Sequence, residues 1–155
     1  MEHGIFPCPP AWEGWLPPGV CPLDRTGDRC WELLVLTPAG PRRLESGVRC
    51  RLVLAPGEGR LEHVRAERVV SYGLSPRDSL TLSSLTEPVL CVQRSLPRPD
   101  GTVIDPQEFP LPPLPLPAQE LLPLLGARLL TLPPEELWPF RAEKPAEKPE
   151  ISQGK

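Results

Sequence analysis

A chain of 155 residues carrying 25 prolines and 12 glycines is not a helical bundle or a coiled coil, because both residues interrupt regular structure. Hydrophobic residues make up 39%, enough for one modest core in one small domain. The formal charge is −3 and no basic run follows the chain, which argues against nucleic-acid binding.

The longest apolar stretches, such as Leu33 to Leu36 and Leu121 to Leu125, fall far short of the roughly 20 residues a membrane span needs. The first 20 residues hold no Lys or Arg, so the basic region of a signal peptide is missing and a cytoplasmic location is expected. Cys8, Cys21, Cys30, Cys50 and Cys91 form an odd set without a C-x-x-C pair. Reduced thiols are expected, with no disulfide framework and no metal, since structural zinc ligands come in closely spaced pairs.

Residues 1–30 read as an irregular N-terminal arm, punctuated by Pro7, Pro9, Pro10, Pro17, Pro18 and Pro22, with no place for a helix or central strand. Trp12 and Trp15 within it are candidates for contact with a partner, or alternatively for clamping the arm onto the core. From Glu32 the texture changes. The runs at 32–37, 51–55 and 68–72 are short, continuously apolar and closed by Pro or Gly, the pattern of buried strands in a sheet with parallel pairing. The connections are short for parallel crossovers, and Arg60 to Glu67 offers at most two helical turns.

After Gly73 the apolar residues alternate with polar ones, which predicts antiparallel strands near 79–84, 89–95 and 102–105, with Asp100-Gly101 as a hairpin turn. Phe109 to Pro117 alternates proline and leucine, favouring polyproline II geometry and a packed connector. Gln119 to Leu130 predicts one or two helices, with Pro123 in a first turn or at a break, and Leu132 to Leu137 a further short helix. From Arg141 to Lys155 the composition is that of a solvated, disordered tail. The expected fold is therefore α/β: a small partly parallel sheet with short helices and an antiparallel hairpin section, forming one domain over residues 31–140 between irregular proline-rich termini.

Motifs for chemistry are absent. There is no G-x-x-x-x-G-K-[ST] loop for phosphate and no G-x-S-x-G elbow for a nucleophilic serine. Cys91 lies in an apolar run, where a thiol is inert packing rather than a partner for His63. No catalytic residue and no cofactor is assigned. Gly57, Gly59 and Gly73 follow strands and mark an alternative ligand crevice at the strand ends. Gln93, Arg94, Gln107 and Glu108 flank the hairpin and form a candidate interaction patch for an unidentified protein partner.

Leu33 to Thr37, Leu52 to Glu58, Val69 to Ser75, the hairpin region from Leu80 to Phe109 and the segment Glu120 to Leu137 together resemble, in order and texture, the later part of the central domain of Mur ligases. Those are ATP-dependent enzymes of peptidoglycan precursor synthesis. Tyr72 to Ser84 with Ile104 to Phe109 also resemble a set of stand-alone bacterial proteins. Against the ligase pattern, no Asp-His follows Thr37, the family's N-x-D-D turn is replaced by Ala55-Pro56-Gly57-Glu58, and the phosphate loop and catalytic lysine would fall before residue 32, where neither occurs. The resemblance implies a catalytically incomplete scaffold: a non-enzymatic interaction or accessory protein linked to cell-envelope synthesis or division. The alternative is a small-ligand or nucleotide-binding module.

Overall fold

The computed structural model describes residues 2–137. Its main element is an eight-stranded sheet of order β10-β7-β6-β5-β4-β3-β1-β2. In chain order the strands are β1 (Glu2–Phe6), β2 (Val20–Pro22), β3 (Cys30–Leu36), β4 (Val48–Pro56), β5 (Val64–Tyr72), β6 (Leu80–Leu82), β7 (Val89–Val92) and β10 (Gln107–Pro110). Neighbours from β2 to β6 pair in parallel, and β6-β7 and β7-β10 pair antiparallel. Strands β8 (Leu96–Pro97) and β9 (Val103–Ile104) form a separate hairpin. Leu34, Leu52 and Val69 thus share one sheet, and the α/β class holds. Among the described residues no helix is long and apolar enough to cross a membrane.

Strands β3 and β4 form because their apolar runs are buried on both faces, whereas β5 buries Val70 and Tyr72 and leaves Val69 57% exposed. One face packs against helix α2 (Ala118–Thr131), where Leu33, Val35, Leu52, Leu54, Val70, Tyr72 and Leu80 meet Leu121, Leu124, Leu125 and Leu129. Gly126 lets α2 come close, since a Cβ there would stand 2.5 Å from Leu54 Cδ2. Pro123 lies inside one continuous helix rather than at a break.

The opposite face carries Phe6, Trp31, Leu34, Leu36 and Val53, covered by connections: Leu44 after the one-turn helix α1 (Gly40–Arg43) and Leu61 between β4 and β5. No helix forms within 60–67, because residues 57–63 must return along a nine-residue strand. A helix advances about 1.5 Å per residue where a strand covers about 3.3 Å.

Three expectations are corrected. The irregular arm of residues 1–30 contains β1, which sits between β2 and β3 inside the sheet, and a 3-10 turn at Pro10–Trp15. The domain therefore begins at β1 and not at residue 31. The prolines bound this strand without entering it: Thr37 N–H donates to Phe6 O and its Oγ1 to Pro7 O, joining the end of β1 to that of β3. Second, residues 102–105 do not join the main sheet. The Asp100-Gly101 turn forms, with Gly101 at φ +92, but it closes the separate hairpin. Third, the strand beside β7 is β10, which takes Phe109 and Pro110 from the expected connector. It is an edge strand, where a missing proline N–H is tolerated. The helix expected at Leu132 to Leu137 is a single 3-10 turn, Pro134–Glu136. The expected tail, 141–155, lies outside the described residues.

Candidate functional site

The glycines singled out at the strand ends are brought together in part. Gly57 follows β4 and Gly73 follows β5, and both face the carboxylate of Asp78, in the loop between β5 and β6. A Cβ on Gly57 would stand 1.9 Å from Asp78 Oδ1, and one on Gly73 would stand 2.4 Å from Oδ2. Gly59 lies apart, beside Pro41.

Asp78 is buried and held by a reciprocal turn. Its N–H donates to Ser75 O at 3.0 Å, and its Oδ2 accepts from Ser75 N–H at 3.1 Å. Gly57 N–H and Gly73 N–H, which would greet a ligand in an open crevice, donate instead to Tyr72 O and Leu80 O. The position where open α/β sheets take ligands is filled by the chain's own carboxylate.

The loop carrying Asp78 is fastened from β7. Gln93 Nε2 donates to Pro76 O at 3.1 Å and to Asp78 O at 3.3 Å, and Arg94 Nη1 donates to Arg77 O at 2.6 Å. Two of the four residues of the expected interaction patch therefore use side-chain donors to clasp a loop. Gln107 and Glu108 lie nearby on exposed β10, in register with Val92 and Cys91, and Gln107 Nε2 donates to Asp105 O. Among the described residues no ion pair joins Arg94 to Glu108.

Trp12 is not a contact surface. It is buried in the helix-side core, and Trp15 packs partly against the same core. The indoles clamp the segment, and Arg128 of α2 secures it: Nη1 donates to Trp15 O at 3.2 Å, and Nη2 to Leu137 O at 3.1 Å. His63 and Cys91 stand apart, with the length of β5 between them. Burial pushes the Cys50 thiol up to about 12, with Cys30 adding to the shift, and pushes Cys8 up to about 11, helped by Glu13. Neither is a ready thiolate. Among the described residues no group of three or more His, Cys, Asp and Glu is placed to hold a metal ion.

One feature escapes a linear reading. Pairing across β3, β4 and β5 skips Glu32, Arg51 and Glu67 together, while Leu33, Leu52 and Arg68 stay in register. Trp31 and Cys50 point to the connection side, yet Leu33 and Leu52, two residues on, point to the helix side. Each strand thus contributes two successive residues to the helix side while the register across β3-β4 and β4-β5 stays unchanged; a register shift lies between β1 and β3, at Glu2 and His3.

The doubled row lines a cleft of about 210 Å³ under the β8-β9 hairpin, with Glu32, Arg51, Glu67 and Arg68 as floor and Arg98, Thr102 and Val103 as wall. Two residues before Arg51, Arg49 stands in register with Arg65, both exposed. Alternation with Val48, Cys50, Val64 and Ala66, which all face the other side, turns both arginines to the helix side. The signal lay in V-R-C-R-L at 48–52 and V-R-A-E-R at 64–68, legible only once the strands are laid side by side.

Compared with family models, curated proteins and solved structures, the chain matches none.

Proposed function

We propose that this chain is a non-enzymatic interaction or accessory protein. The observation that carries the reading is Asp78. A carboxylate seated over Gly57 and Gly73 occupies the strand-end position an α/β sheet offers to a ligand, and its negative charge opposes a phosphate there. The rest of the site is consistent with that reading: the side chains around Asp78 hydrogen-bond one another's backbone, a network suited to rigidity rather than turnover. A link to cell-envelope synthesis or division rests on the Mur-ligase resemblance of the sequence alone.

Calorimetry with ATP and Mg²⁺ at physiological salt tests this reading against the nucleotide-binding alternative. No saturable heat is expected. A Kd in the low micromolar range would overturn the proposal in favour of a ligand module.

A further inference from the structure

The helix-side face of β4 and β5 carries an electrostatic arrangement that folding alone does not reward. Arg49 and Arg65 are direct register partners on adjacent strands, and like charges directly opposite each other destabilise a sheet. Here the nearby acids are engaged elsewhere: Glu67 with Arg51 at 3.7 Å and Glu32 with His3 at 3.6 Å. Among the described residues no ion pair reaches Arg49, Arg65 or Arg68. The change of facing adds to this concentration by bringing Arg51 and Arg68 to the same cleft, which Arg98 lines from the hairpin. Five arginines gather here against Glu32, Glu67 and Asp100, in a chain whose formal charge is −3; Arg51 pairs with Glu67 and the largely buried Arg98 with Asp100 at 3.9 Å, which leaves Arg49, Arg65 and Arg68 as the arginines without an ion pair among the described residues.

We propose that this arginine face, from Arg49 and Arg65 to the cleft under the β8-β9 hairpin, docks an acidic polypeptide segment of a partner protein. The inference rests on the interaction reading above and says where and by what chemistry the partner is held. The arginines extend along two strands and onto a hairpin, so one compact anion reaches only some of them, whereas an extended segment with spaced carboxylates reaches them in succession. Glu32 and Glu67 between the arginines disfavour a uniform polyanion such as a nucleic-acid backbone, and tolerate a chain whose acids alternate with other residues. The wall of the cleft is apolar at Pro97, Pro99 and Val103, the last 56% exposed, which suits a non-polar side chain between two acids. The chain's own residues 138–155 do not meet the description, holding four basic residues against three acidic ones. Charge complementarity of this kind sets encounter rate and orientation, and weakens with salt.

The test is fluorescence anisotropy with a labelled 12-residue peptide of Glu and Asp interspersed with Val, a Lys-for-Glu version serving as control. Saturable binding of the acidic peptide is expected. It should weaken at least tenfold in Arg65→Gln/Arg68→Gln, and also between 50 and 300 mM salt, but stay unchanged in Arg42→Gln/Arg60→Gln. Because Arg65→Gln removes a repulsion, the variant's melting temperature should hold or rise, which separates lost binding from lost folding. Equal binding of both peptides, or equal loss in both double variants, overturns the inference. Tighter saturation of the face by citrate, inorganic phosphate or an RNA oligonucleotide also overturns it, in favour of that occupant. A native partner that binds Arg65→Gln/Arg68→Gln as tightly as the unmodified protein defeats the docking surface but leaves the interaction reading standing, whereas failure to find any protein partner defeats the reading itself.

Discussion

Asp78 and its two glycines show how a single side chain closes a crevice. A methyl group on Gly57 or Gly73 and the Asp78 carboxylate cannot share the same space, so Gly57→Ala should cost about 1–3 kcal/mol as the loop is displaced. In an Asp78→Ala background the same substitution should cost much less, because the clashing oxygens are gone. Chemical denaturation of the four proteins gives the coupling energy directly. Additive effects would mean that the loop does not lie over Gly57 in solution. None of this was legible in the sequence. Asp78 is one polar residue in a turn-rich stretch, and only the fold brings residues 57, 73 and 78 together.

At the scale of elements, legibility followed the hydrophobic pattern. β3 and β4 announce themselves as continuous apolar runs because they are buried on both faces, β5 as a shorter run buried at Val70 and Tyr72, and the Asp100-Gly101 hairpin announces itself through a turn that needs positive φ. β1 is hidden because its five residues run straight into Pro7, Pro9 and Pro10, and a window wide enough to detect a strand averages it away. β10 is hidden for a related reason, since proline is compatible with an edge that the sequence does not identify as one. The arginine face is a collective property of register: no single strand reveals that three neighbours change facing in the same row.

Helix α2 is held at its end by Arg128, whose guanidinium joins the 3-10 turn at Trp15 to Leu137. Burial lowers its pKa, a cost that the carbonyl partners offset. Arg128→Met should therefore destabilise the protein by about 1–3 kcal/mol, leaving buried carbonyls unmatched. It should also speed amide exchange in residues 10–16 more than in β4. Uniform loss of protection would place Arg128 in the general core instead.

For the whole molecule, the raised thiol values fix how stability depends on pH. Cys50 at about 12 and Cys8 at about 11, against 9.0 for an unperturbed thiol, together with a Tyr72 hydroxyl pushed upward by burial while donating to Leu36 O, all favour the protonated form in the folded state. Their contribution is fully present below about pH 9 and is lost as pH rises through 11 and 12. Melting temperature should fall steeply above pH 9, with a shallower fall in Cys50→Ala. A flat profile to pH 11 would show that these groups are not buried.

A sheet covered by one helix on one face and by bare connections on the other, with its strand-end position filled from within and an arginine-rich face beside a cleft, underlies the proposal that the chain holds a protein surface rather than a substrate. The measurement that bears most directly on this is native mass spectrometry of the full chain isolated by affinity from the cells that make it. A stoichiometric complex with a second protein, and no small molecule retained by the chain itself, is the predicted result. A monomer carrying a defined small-molecule adduct, with no protein partner, would contradict it.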